Sequence, residues 1–161
     1  MSDALTALTA RVTALEDRQA IADLIARYGP AVDSVDGAGT AAIWADTGIY
    51  SIGGTVLDGG AAIAGLVDFP QHRAYVEVGC GHVLSPHAIT VNGLIAEARG
   101  YSMVIAREGD TWTIARLSAN RWQLRKGEAG WQVVARHGAL LNGSEAARAL
   151  LHWAAPEESE T

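Results

Sequence analysis

The stretch AITVNGLIAEARGYSMVIAREGDTWTIARLSANRWQLRK, residues 88–126, decides the fold of this chain. Apolar residues recur through it at alternate positions, which is typical of strands that bury one face. Asn92-Gly93 and Gly109-Asp110 interrupt the alternation, and both pairs are typical of tight hairpin turns. Together with its flanks, the stretch predicts four consecutive antiparallel strands, at about 80–91, 94–107, 111–126 and 130–141.

The third of these strands is predicted to bury an amide. Strict alternation places five of its side chains on one face: Trp112, Ile114, Asn120, Trp122 and Leu124. An amide that is buried without a hydrogen-bond partner costs about 1–3 kcal/mol. Asn120 therefore needs a polar partner, and an oxygen atom of a bound substrate is one such partner.

The N-terminal segment predicts a helix from Asp3 to about Tyr28. Its apolar residues recur three or four positions apart, as on one buried helical stripe: Leu5, Leu8, Val12, Leu15, Ile21, Leu24, Ile25 and Tyr28. Gly29-Pro30 should kink or end the helix, because proline lacks the N–H donor and its ring clashes with the preceding turn. Asp33 therefore follows a bend. Shorter helices are predicted at 40–46 and 61–67, with a strand at 48–52 between them.

Helices followed by long strands predict an α+β fold in which the helices cover one face of a curved sheet. A sheet that curls in this way encloses a pocket. The length of 161 residues fits a single domain. We place this domain at residues 1–155 and a flexible tail at 156–161.

The composition excludes several classes of function. Hydrophobic residues make up 49% of the chain and charged residues 19%, which is typical of a compact globular protein. The net charge of −6 and the lack of a lysine or arginine cluster disfavour nucleic acid and membrane surfaces as partners. The N-terminus lacks the uninterrupted apolar run of a signal peptide or a membrane span, so we expect a cytoplasmic protein.

The sequence also lacks the common cofactor and metal motifs. Neither GxGxxG nor GxxxxGK[ST] nor GxSxG occurs, which disfavours a phosphate-binding loop and a serine nucleophile. Cys80 is the sole cysteine, so a disulfide framework and a multi-cysteine zinc site are excluded, and we interpret it as a small hydrophobic residue. His82 and His87 lie five positions apart on a predicted strand, where side chains point to opposite faces. We therefore expect no metal site.

Asp33 and His82 form the leading catalytic hypothesis. A carboxylate that orients an imidazole makes a general base that works near neutral pH. Asp33 has a competing interpretation as a helix cap, although Asp36, beside Gly37, fits that role better. Tyr28 and Tyr50 have two interpretations as well, as half-buried aromatic residues or as proton donors.

Four segments resemble the SnoaL-like branch of the nuclear transport factor 2-like superfamily: LEDRQAIADLIARYGPAVD, IWADTGIYSIGG, GHVLSPHAITVNG and the late strands that end in GWQVVAR. The similarity runs from about Leu15 to Leu141. It implies one SnoaL-like α+β barrel domain, in which a cone-shaped, antiparallel or mixed sheet wraps around an N-terminal helix layer with a central pocket. Members that the chain resembles include scytalone dehydratase, the bile-acid dehydratases and the dehydrochlorinase of hexachlorocyclohexane.

The resemblance assigns roles to several residues. In those enzymes an aspartate after the first helix orients a histidine on the sheet, which Asp33 and His82 match. The bile-acid dehydratase pattern adds a tyrosine before the aspartate, matched by Tyr28, and an asparagine on a late strand, for which Asn120 is the candidate.

The dehydrochlorinase pattern fits less well. The segment around Trp44 resembles that enzyme, but the enzyme has a lysine where this chain has Tyr28. Its late-strand arginine has two candidates here, Arg121 and Arg125.

The resemblance implies a dehydratase-type lyase that needs no cofactor. His82 would remove a proton from carbon, and Tyr28 or Tyr50 would stabilise the developing oxyanion or protonate the departing hydroxyl. The substrate would be a small, hydrophobic, ring-containing hydroxy-carbonyl compound in contact with Tyr50, Asn120, Trp44, Trp122 and Leu84.

Two other functions remain open at this point. One is a ketosteroid-type isomerase or polyketide cyclase, in which Asp33 itself carries the proton. The other is a non-catalytic module for small-molecule binding or assembly. A homodimer or homotrimer is expected in each case, because relatives commonly bury one sheet face between subunits.

Overall fold

The computed structural model describes residues 2–153, in which helices pack on a seven-stranded sheet. The helices are α1 (Ser2–Ala26), α2 (Tyr28–Asp33), α3 (Gly37–Ala41), α4 (Gly60–Ala64), α5 (Pro70–Val78) and α6 (Glu145–Leu151), with a 3-10 turn at Gly65–Asp68. The strands are β1 (Trp44–Ile52), β2 (Thr55–Asp58), β3 (Cys80–Leu84), β4 (Ala88–Asn92), β5 (Ile95–Glu108), β6 (Thr111–Gly127) and β7 (Gly130–Leu140). The predicted tail at 156–161 lies outside the described residues. Among the helices of residues 2–153, none combines the length and hydropathy that a membrane span requires.

The sheet is mixed and open. Its strand order is β2-β1-β7-β6-β5-β3, and β4 also pairs with β5. β1 pairs with β7 in parallel, and the other pairs are antiparallel. The predicted α+β architecture with a curved mixed sheet is confirmed.

The predicted hairpins form, but the first predicted strand is divided. Gly93 and Gly109 both adopt φ of 60° at the tips of hairpins, a conformation that glycine tolerates without a side-chain clash. The segment predicted as one strand at 80–91 forms β3 and β4, which both pair with β5. Pro86 lies between them, and proline has no N–H to donate to a sheet.

The predicted apolar face of β6 is wrong at its N-terminal end. Trp112 and Ile114 are 61% and 60% exposed, whereas Asn120 and Trp122 are fully buried. The pairing with β5 jumps from Ile114 to Arg116, which leaves an extra residue between them. Such a β-bulge moves every earlier side chain of the strand to the opposite face. Trp112 therefore does not line the interior.

The predicted stripe of α1 divides into two faces. Ile21 and Ile25 are buried in the core, but Leu5, Leu8, Val12 and Leu15 are between 44% and 67% exposed. The six-residue step from Leu15 to Ile21 turns a helix by about 240°, since each residue turns it by about 100°. The first four apolar residues therefore face away from the domain.

The sequence predicted the shorter helices only in part. The helix predicted at 40–46 lies at Gly37–Ala41, and β1 already begins at Trp44. The helix predicted at 61–67 is confirmed as α4 and the 3-10 turn, whereas α5 and α6 were not predicted. Asp36 caps α3 as expected, because its side chain accepts a hydrogen bond from the N–H of Gly39.

The close approach of α2 to β3 generates a prediction. A Cβ atom built on Gly29 would overlap the backbone oxygen of His82. We expect Gly29→Ala to lower the free energy of unfolding by about 1–3 kcal/mol, because the helix must move away from the strand. Chemical denaturation measures the change. Gly65→Ala is the control, since Gly65 has φ of −69° with open space around it and should cost nothing.

Candidate active site

Asp33 lies at the C-terminal end of α2, and its side chain meets His82 on β3. His82 Nδ1 lies 2.7 Å from Asp33 Oδ1, and the backbone N–H of His82 donates to Asp33 Oδ2 at 2.8 Å. Cys80 Sγ donates a longer hydrogen bond of 3.6 Å to Asp33 Oδ1. One carboxylate therefore binds both the backbone and the ring of the same histidine.

The charge of Asp33 selects the tautomer of neutral His82. Burial acts to raise the pKa of Asp33, but the hydrogen bonds from the ring and backbone of His82 outweigh it, so the pKa is lowered. An ionised carboxylate can only accept hydrogen bonds, which assigns the ring proton to Nδ1. Nε2 then carries the lone pair, and within residues 2–153 it makes no hydrogen bond.

His82 lines a cavity of about 80 Å³ beneath the helix layer. Four aromatic or imidazole side chains line it with His82, namely Tyr28, Tyr50, His72 and Tyr75, and Ile52, Leu66 and Arg116 complete the inner wall. Thr55, Phe69 and Gln71 also line it and are exposed, so they form its rim. A cavity of this size has room for part of a small molecule, and the remainder of a larger molecule would extend past the rim.

Tyr28 is the centre of the aromatic wall. Its ring makes edge contacts with Trp44, Trp122 and His82 at centroid distances of 5.8, 6.0 and 6.4 Å. Tyr50 is 4% exposed, and burial raises its pKa. The charge of Tyr28 and a hydrogen bond with it act in the same direction as burial. Tyr50 is therefore a protonated phenol at neutral pH.

Arg136 is a buried cation that the sequence analysis missed. Its guanidinium carbon lies 4.3 Å from the ring centre of Tyr28 and 4.4 Å from that of Trp122. Its Nη2 and Nε donate to Asn120 Oδ1 at 2.9 and 3.1 Å. Nη1 is buried and has no hydrogen-bond partner within residues 2–153. In sequence, Arg136 lies at a regular inward position of a strand, and that was the available signal.

The remaining predicted site residues lie behind the cavity wall. Trp44 and Trp122 are buried against Tyr28, and Leu84 packs against the same core. Asn120 is fully buried, and its amide donates to Ser102 Oγ and Ser118 O. Because its oxygen accepts from Arg136, the protein itself supplies partners for this amide.

Two further histidines lie near the site. His72 is 7% exposed on α5, and its Nε2 lies 2.9 Å from the carbonyl oxygen of Val32, to which it donates. Burial lowers the pKa of His72 despite this hydrogen bond. His87 accepts a hydrogen bond from Trp122 Nε1, and burial followed by the charge of Arg136 lowers its pKa to about 4. Both rings are therefore neutral near pH 7.

Asp33, Cys80 and His82 bring three candidate metal-ligand atoms within 4.8 Å of one another. Burial, followed by the neighbouring charge of Asp33, raises the pKa of Cys80 to about 11, so the thiol keeps its proton. A thiol must lose its proton to bind zinc. The hydrogen bonds among the three side chains explain their proximity without a metal.

A second, larger cavity of about 740 Å³ lies on the other face of the sheet. Its sole carboxylate within the described residues is Glu97, which accepts from both Arg99 and Arg121. The paired carboxylate and the lack of a histidine leave no proton acceptor there. The smaller cavity is therefore the candidate active site.

Comparison with known proteins relates the chain to one family. A family model described as a SnoaL-like domain matches residues 13–137. An NTF2-like protein with a cystatin-like fold from Novosphingobium aromaticivorans is 47% identical, with a TM-score of 0.90 over 92% of this chain and 97% of that one. No curated protein matches the sequence significantly.

More distant structures share the fold. A putative aromatic ring hydroxylase from Novosphingobium aromaticivorans is 25% identical, with a TM-score of 0.60 over 79% of this chain and 90% of that one. An NTF2-like superfamily protein from Salmonella enterica is 19% identical, with a TM-score of 0.67 over 78% and 91%. The match to the family model and the 47% identity together establish that this chain belongs to the SnoaL-like family.

Proposed function

We propose that this protein is a cofactor-independent lyase that eliminates water from a hydrophobic, ring-containing hydroxy-carbonyl compound. The observation that carries the proposal is the pairing of His82 with Asp33 beside a cavity lined by three tyrosines. His82 is the general base, Asp33 holds it in one tautomer, and Tyr28 with Tyr50 supplies the acid. An imidazole is suited to removing a proton from a substrate at neutral pH.

The reaction begins at Nε2 of His82. This nitrogen removes a proton from the carbon next to the substrate carbonyl, and the electron pair of the broken C–H bond moves toward the carbonyl oxygen. A phenol hydroxyl of the Tyr28–Tyr50 pair donates a hydrogen bond to that oxygen as its charge develops. Asp33 stabilises the imidazolium that forms.

The second half expels the hydroxyl group. The electron pair returns to form the C=C bond, and the C–O bond at the next carbon breaks. A tyrosine O–H protonates the departing hydroxyl, which leaves as water, and the proton on His82 then restores the phenol. Because burial raises the pKa of Tyr50, this phenol is protonated at neutral pH and has a proton to donate.

The surroundings of Asp33 disfavour the isomerase alternative. Such an enzyme would use the carboxylate to carry the proton. Both oxygens of Asp33 already accept hydrogen bonds from β3, and its side chain is 27% exposed. His82 lines the cavity and has a ring nitrogen without a hydrogen bond, whereas Asp33 does not line the cavity.

The walls of the cavity support a ring-containing substrate. Tyr28, Tyr75 and Phe69 present aromatic surface near His82, and such surface packs well against flat rings. The similarity to a protein described as a putative aromatic ring hydroxylase is in keeping with this class.

Wild type and His82→Gln test the activity directly. The purified proteins are incubated with hydroxylated steroids and polyketide-like phenols, without added cofactor, and mass spectrometry detects the loss of one water. We expect dehydration by wild type and a loss of at least 100-fold in the variant, because the base is missing. Conversion without a change in mass would favour the isomerase. Binding without turnover would favour the non-catalytic module.

Asp33→Asn tests the role of the carboxylate. The new amide can donate to His82 Nδ1, which moves the ring proton to Nε2 and removes the base. We expect kcat to fall by about 10³–10⁴-fold with little change in KM. NMR of the ring nitrogens of His82 reports the tautomer. Asp36→Asn is the matched control, because asparagine also caps helices well, and it should remain active.

The lowered pKa of Asp33 also predicts acid sensitivity. A carboxyl group whose pKa is lower in the folded chain stabilises the fold above its unfolded pKa of about 3.9. This stabilisation is lost as the pH falls through the folded pKa. We expect Asp33→Asn to lower the free energy of unfolding by about 1–3 kcal/mol near neutral pH. This difference from wild type should become smaller below about pH 4. Urea unfolding across this pH range measures the difference, and a difference that stays constant would contradict the assignment.

A further inference from the structure

The first half of α1 projects from the domain. The side chains of residues 3–16 are all exposed, and the first buried side chain of the helix is that of Ile21. At 1.5 Å per residue, the exposed part is about 21 Å long. It carries four exposed apolar side chains: Leu5 at 66%, Leu8 at 55%, Val12 at 44% and Leu15 at 67%.

These four residues have coiled-coil spacing. Steps of three, four and three place Leu5 and Val12 at the a positions of a heptad and Leu8 and Leu15 at the d positions. Val12 at a and leucine at both d positions favour two parallel strands, whereas the other a position holds Leu5. We call this stripe of four residues the α1 seam.

The seam is directed away from the domain. At about 100° per residue, its centre lies about 170° around the helix from the centre of Ile21, Leu24 and Ile25. Those three residues contact the core. A second helix laid on the seam would therefore not meet its own domain, and two domains would lie on opposite outer sides of the pair.

The charges beside the seam specify the direction of pairing. Arg11 lies at g and Glu16 at e, and in a parallel pair g of one helix meets e of the next heptad on its partner. Arg11 would therefore contact Glu16 of a second copy twice, by symmetry. Within its own helix, neither residue has an opposite charge three or four positions away. In an antiparallel pair g lies opposite g, so Arg11 would meet Arg11 of the second copy instead of Glu16.

We propose that the α1 seam binds the same seam of a second copy of this chain, as a parallel two-stranded coiled coil. The apolar spacing supplies the contact, the orientation leaves room for both domains, and the Arg11–Glu16 pairs set the direction. The match to the family model begins at residue 13, so most of the seam lies outside it. This dimer is independent of the proposed chemistry.

Cysteine cross-linking tests the register. Cys80→Ser removes the sole native thiol, and Leu5→Cys then places one thiol on the seam. A parallel pair brings the two introduced thiols together, so oxidation should give a covalent dimer. Ala7→Cys is the control, because it lies on the same turn but faces away from the seam. Cross-linking of Leu5→Cys no faster than Ala7→Cys would overturn the proposal, and so would an antiparallel pair, which separates the two ends.

Charge reversal tests the partner contact. Analytical ultracentrifugation measures the dissociation constant of the dimer for wild type, Arg11→Glu, Glu16→Arg and the double variant. Each single change places like charges together and should weaken the dimer by about tenfold at low salt. The double variant should restore it. Circular dichroism confirms that each variant is folded. A dimer that none of these changes affects would use another surface, and the proposal would fail.

Discussion

The contact between α2 and β3 is the constraint on which the candidate site depends. Gly29 brings the two backbones together without a side chain between them, and Asp33 follows one turn later at the end of the helix. Its carboxylate then accepts from both the backbone and the ring of His82. Since one group fixes two parts of the same residue, the ring is held in one orientation before any ligand arrives. Such preorganisation is what makes a positioned base effective.

A second constraint is the buried charge beneath the tyrosines. Within the described residues no carboxylate pairs with Arg136, and an unpaired buried ion ordinarily costs several kcal/mol. The faces of Tyr28 and Trp122 and the oxygen of Asn120 together replace the missing counter-ion. Burial raises the pKa of Tyr50, and the positive charge of Arg136 acts against this rise. At His87 burial lowers the pKa, and the charge of Arg136 lowers it further. The charge of Arg136, behind the rings of Tyr28 and Tyr50, therefore favours negative charge on an oxygen atom near these rings.

Much of the fold was readable from local chemistry, whereas its irregularities were not. Turn glycines and alternation predicted the hairpins, and the family pattern led to Asp33 and His82. The bulge before Arg116 and the six-residue step in α1 each reversed a face, because a period says which residues share a side but not what lies against that side. The sequence did not predict the burial of Arg136, because the side chains that stabilise its charge are distant from it in the sequence. α5 was missed because His72 is its one buried residue, so it has no apolar stripe.

The residues of the candidate site differ in how firmly the fold holds them. Asp33, His82 and the tyrosines belong to elements that bury their side chains in the common core. The rim is formed partly by Phe69 and Gln71, at the start of α5, and that helix is anchored by His72 through its hydrogen bond to Val32. Segments with few buried contacts open at low free-energy cost. The rim of this cavity of about 80 Å³ is therefore held less firmly than His82 and Asp33, which two hydrogen bonds join.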